Sequence, residues 1–65
     1  MTRYKIYINK LSGKERDSLY TELEGWAFMV SINIKEDYLD VFWDSAEPLE
    51  SVVKIPACCT VSKSS

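Results

Sequence analysis

The chain of 65 residues has no histidine, two cysteines, a net charge of −2, 46% apolar residues and 28% charged residues. Those values describe one small folded domain and not a disordered chain, and a domain of this size buries only about 60% of the surface its unfolded form exposes, which leaves little room for a deep ligand cavity. The near-neutral total hides a division: five of the eight basic residues, Arg3, Lys5, Lys10, Lys14 and Arg16, lie at the front, whereas Glu36, Asp37, Asp40, Asp44, Glu47 and Glu50 crowd into fifteen residues without Lys or Arg.

Residues 3–9 alternate with the period of two of a half-buried strand, Tyr4, Ile6 and Ile8 on the core face and Arg3, Lys5, Tyr7 and Asn9 on the other. Ser12-Gly13-Lys14-Glu15 is a capping-box sequence, so a helix is predicted from Gly13. Leu19, Leu23 and Trp26, with Tyr20 beside them, form its apolar stripe, and Gly25 is read as its left-handed stop.

Alternation returns from Ala27 to Ile34, with Phe28, Val30, Ile32 and Ile34 predicted inward and Met29, Ser31, Asn33 and Lys35 outward. Lys35-Glu36-Asp37 reverses the chain. Tyr38 to Asp44 then alternates again, placing Leu39, Val41 and Trp43 opposite Tyr38, Asp40, Phe42 and Asp44. A turn centred on Glu36-Asp37 sets Ile34 opposite Leu39, Ile32 opposite Val41 and Val30 opposite Trp43. Residues 52–61 are β-branched but contain Pro56, which suits an irregular edge strand, and residues 62–65 read as a frayed tail.

The first strand can lie beside the second in parallel or beside the third antiparallel, and charge favours the third. With Ile6 opposite Val41, Arg3 falls beside Asp44 and Lys5 lies diagonal to both Asp40 and Asp44. The predicted fold is therefore α+β, one domain over residues 1–61, β-α-β-β(-β), with an antiparallel sheet of order 2-3-1, an irregular fourth edge strand and one helix packed on one face.

No pattern carries catalysis. Cys58 and Cys59 are adjacent, point to opposite sides of a strand and have no third Cys or His ligand, so neither a metal nor another cofactor is predicted. A cysteine nucleophile would lack a base at any recognisable spacing, and Glu36-Asp37 in a turn stays ionised, so the chain is read as a non-enzyme. Neighbouring cysteines make a strained bridge, and no stretch has the length of a signal peptide or a membrane span; a cytoplasmic location away from membranes is expected.

What remains is a surface. The open face of the sheet would display aromatic residues among charges, and Tyr7, Tyr38, Asp40, Phe42 and Asp44 are its predicted protein contact, aromatics supplying area and aspartates orientation. The implied function is a small protein-binding regulator, inhibitor or accessory subunit whose partner the residues do not name. Self-association into a homodimer through the open second strand is an alternative use of the fold. Glu36, Asp37, Glu47 and Glu50 have no internal partner in this arrangement and form the acidic surface of a second reading, a nucleic-acid mimic. Binding of single-stranded nucleic acid is the third, weakened because Asp40 and Asp44 flank Phe42 and repel phosphate.

Overall fold

Six elements follow one another in the computed structural model, which describes residues 1–64: β1 (Thr2–Tyr7), α1 (Gly13–Trp26), β2 (Met29–Asn33), β3 (Tyr38–Trp43), α2 (Leu49–Val52) and β4 (Thr60–Ser64). The strands form one antiparallel sheet of order β2-β3-β1-β4. The α+β class, the 2-3-1 order and the helix on one face agree with the sequence reading.

Ser12 caps α1 as its motif requires: its hydroxyl accepts from the Glu15 amide at 3.3 Å and the Glu15 carboxylate accepts from the Ser12 amide at 3.0 Å. Two reciprocal hydrogen bonds at an otherwise unsatisfied helix end, one of them to a carboxylate, explain why the helix starts there. Its end differs from expectation. Gly25 is an ordinary helical residue with no left-handed φ, and α1 runs on to Trp26, after which Ala27 turns extended (φ −81°, ψ 158°) while its amide still bonds the Leu23 carbonyl at 2.8 Å.

The core lies on one side of β1 and β3. Ile6, Ile8, Leu23, Val41, Leu49 and Val53 are fully enclosed, with Tyr4, Leu19, Leu39 and Trp43 almost so. Leu49 and Val53 show that the segment after Pro48 packs on the same side as α1, so the open face of the sheet is not covered by it. The Trp43 indole N–H donates to the Glu47 carbonyl at 2.7 Å and ties that connection down.

Both registers differ from the sequence reading by two residues. Ile32 faces Leu39 and Val30 faces Val41 in the hairpin, while Ile6 faces Leu39 and Tyr4 faces Val41 across β1 and β3. A shift of two leaves every side chain on its face, so alternation cannot distinguish the registers. The turn does so. Residues 34–37 form a loop in which Asp37 takes a left-handed φ of 54°, the Glu36 amide bonds Asn33 Oδ1 at 3.0 Å and the Ile8 amide bonds the Asp37 carbonyl at 2.8 Å. Asp tolerates that conformation better than most residues.

The tail is a further correction. Ser62, Lys63 and Ser64 pair with Lys5, Tyr4 and Arg3 as part of β4, because β1 would otherwise present an unpaired edge. Ser65, the last residue of the expected frayed segment, lies outside the described residues. Among the described residues, no helix is long and apolar enough to cross a membrane.

Candidate protein interface

The open face brings together most of the residues that the sequence reading nominated. Tyr7, Tyr38, Asp40 and Phe42 stand on neighbouring strands there, but Asp44 lies past the end of β3 and is exposed. Arg3 engages Asp40 and not Asp44: with the shifted register Arg3 sits opposite Phe42, and its Nε and Nη2 donate to the two Asp40 carboxylate oxygens at 2.7 and 2.5 Å. The bidentate geometry holds the Asp40 carboxyl below the usual carboxylate range and raises the Arg3 guanidinium.

These groups also cover one another. The Arg3 guanidinium lies 5.5 Å from the centre of the Phe42 ring, the Lys5 ammonium 5.1 Å from that of Tyr38, and Tyr7 and Tyr38 meet as a tilted pair at 5.5 Å. Tyr38 is consequently buried, and its hydroxyl accepts from the Asn33 amide at 3.2 Å. The face is largely occupied by its own cation–π and ion-pair contacts.

The acidic residues do not form one patch. Asp37 has an internal partner that the sequence reading did not assign, Arg16, whose Nη1 is 3.5 Å from Oδ1. Glu36 stands beside it in the β2–β3 turn, whereas Glu47 and Glu50 lie beyond the opposite end of β3; all three are exposed.

Large exposed apolar residues gather elsewhere, in one stretch. Trp26 is 59% exposed, Phe28 62%, Met29 50%, Ile32 47% and Ile34 79%, and no charged residue interrupts positions 26–34. Trp26, Phe28, Ile32 and Ile34 were all predicted inward; of the strand predicted from Ala27 to Ile34, only Ala27 and Val30 pack against the core. α1 does reach β2, where Tyr20 bonds the Val30 carbonyl, but of the inward positions predicted on that strand it leaves Ile32, with Phe28 and Ile34 on either side, about half exposed or more.

Beside this stretch a shallow groove of about 350 Å³ runs along β2, lined by Ser31, Ile32, Asn33, Ile34, Lys35, Tyr38 and Asp40. The Tyr20 hydroxyl donates to the Val30 carbonyl at 3.1 Å, a side-chain contact where β2 has no further strand beside it. Cys58 is exposed and Cys59 half-buried, both as free thiols, and burial raises the Cys59 thiol. Among the described residues, no group of three His, Cys, Asp or Glu side chains is placed to hold a metal ion.

Comparison of the chain with protein-family models, with curated proteins and with solved structures finds no match.

Proposed function

We propose that the chain is a non-catalytic protein-binding domain, a regulator, inhibitor or accessory subunit, that makes its contact along β2. One observation carries the reading: five large apolar side chains, each about half exposed or more, flank a sheet edge in a stretch without charge. Soluble chains rarely leave such a patch in water, and an open edge strand adds a row of backbone donors and acceptors that a partner can satisfy. Lys35 and Asn33, which line the adjoining groove, supply polar contacts that orient what binds. The free thiols fit a reducing compartment, and a cytoplasmic setting goes with this reading.

The open face supports nucleic-acid binding less well, since the cation nearest Phe42 is already held by Asp40. Separation of Glu36 from Glu47 and Glu50, and the pairing of Asp37 with Arg16, likewise argue against the acidic mimic.

Affinity capture with quantitative mass spectrometry tests the placement. Bait carrying Ile34→Lys is expected to lose the specific partner, while Phe42→Ala retains it. The opposite result moves the contact to Tyr7, Tyr38, Asp40, Phe42 and Asp44, and retention by both variants removes the two surfaces together.

A further inference from the structure

We infer that β2 pairs with β2 of a second copy, antiparallel about a two-fold axis at Ser31, joining two four-stranded sheets into one; the inference rests on the protein-binding reading and names its partner. The two edges of the sheet differ in the features that prevent such pairing. Edge strands are usually guarded by Lys, Pro, a bulge or a covering element. β4 has Lys63 among serines and a threonine, whereas β2 reads Met-Val-Ser-Ile-Asn, without a charge or a proline; its Val30 carbonyl takes the Tyr20 hydroxyl and keeps a second lone pair for a partner amide.

Two-fold symmetry sets a strict condition, because residues close to the axis meet their own kind. Any charge there repels itself, and positions 26–34 contain none. With the axis at Ser31, the five residues of β2 map onto the five of the other copy. Val30 faces Ile32 in both directions, Met29 faces Asn33, and the small Ser31 meets itself. The flanking Phe28 and Ile34 fall opposite each other. Moving the axis to Val30 would set Ile32 and Asn33 against Phe28 and Ala27, which lie outside the strand, and moving it to Ile32 would set Phe28 against Glu36.

A perpendicular two-fold keeps corresponding faces of the two sheets on the same side, so both copies of α1 stand on one side of the joint sheet. Ile32, on the helix side of β2, then lies at the seam between the two copies, flanked by Phe28 and Ile34, while Met29, paired with Phe42, meets the second copy on the open side. At exposures of 47 to 79%, Phe28, Met29, Ile32 and Ile34 offer on the order of 500 Å² per copy, so two copies reach about 1,000 Å² before the paired backbone is included, the lower bound of a specific interface. Association is therefore expected to depend visibly on concentration.

Light scattering on the full chain over a dilution series, with circular dichroism to verify folding, reads the assembly. Wild type is expected to approach twice the monomer mass, and Ser31→Lys, a change at an exposed position, to remain folded at about half that mass. In a Cys58→Ser/Cys59→Ser background with added oxidant, Ser31→Cys is expected to form a covalent dimer and Asn33→Cys, two residues from the axis, at least tenfold less. A wild type that is monomeric throughout, a dimer that survives Ser31→Lys, or a cross-link stronger at Asn33 than at Ser31 overturns the pairing. If wild type is monomeric and Ile34→Lys still abolishes capture of a different protein, the pairing falls while the protein-binding reading stands; if that variant captures the same set, both fall.

Discussion

The two edges of the sheet show how differently one chain can finish a strand. β4 pairs with β1 through residues that need no burial, Thr60, Ser62, Lys63 and Ser64 being exposed and Val61 alone packing against the core. β2 pairs with β3 yet leaves Met29 and Ile32 half in water, flanked by the still more exposed Phe28 and Ile34. The first edge is complete as it stands, while the second carries apolar area that hydrophobic burial would favour removing from solvent.

The largest expected effect compares neighbours on β3 and β2. Leu39 and Ile32 are directly paired, but Leu39 is 1% exposed and Ile32 47%. In urea unfolding of the monomer, Leu39→Ala is expected to cost about 2–5 kcal/mol and Ile32→Ala below about 1 kcal/mol. Equal losses would mean that β2 is no open edge.

Removing the guard from the other edge should sharpen the contrast. Lys63→Ile gives β4 an apolar, uncharged surface, and two sticky edges of unlike sequence make contacts that do not close. Light scattering is expected to show assemblies growing past the dimer with little change in the stability of the fold. A distribution identical to wild type would show that Lys63 protects nothing.

The smallest effect lies away from both edges, in the pair that joins β1 to β3. Hydrogen bonds from Arg3 depress the Asp40 carboxyl, so its stabilising contribution is fully present above the unfolded carboxylate pKa of about 3.9 and is lost as pH falls through the lower folded value. Asp40→Asn is expected to cost about 1 kcal/mol or less near neutral pH and to flatten the acid limb of a stability–pH curve. Some slope should persist below about pH 4, because the hydrogen bonds from Ser12 lower the Glu15 carboxyl in the same direction. An unchanged acid limb would show that the pair contributes nothing to folding.

Much of the fold was legible in local pattern. Ser12 and Glu15 announced the start of α1, and the alternation of Tyr4, Ile6 and Ile8 and of Leu39, Val41 and Trp43 identified residues that are buried. The candidate surface was not legible in the same way. Alternation marked Phe28, Ile32 and Ile34 as inward facing, although only a covering element could bury them, and they stay about half exposed or more. Tyr38 and Phe42 were nominated as exposed anchors, but Lys5 and Arg3 lie over their rings.

By itself the sequence determined which residues share a face and where α1 begins, because those properties follow from helical and strand periods and from hydrogen bonds spanning three or four residues. Only the tertiary structure decided the registers, since a shift of two preserves every face, and it drew Ser62–Ser64 into a strand through backbone groups on β1 that needed partners. It also decided which apolar residues stay in water, because a strand's alternation states which side a residue is on and not whether another element packs over it there.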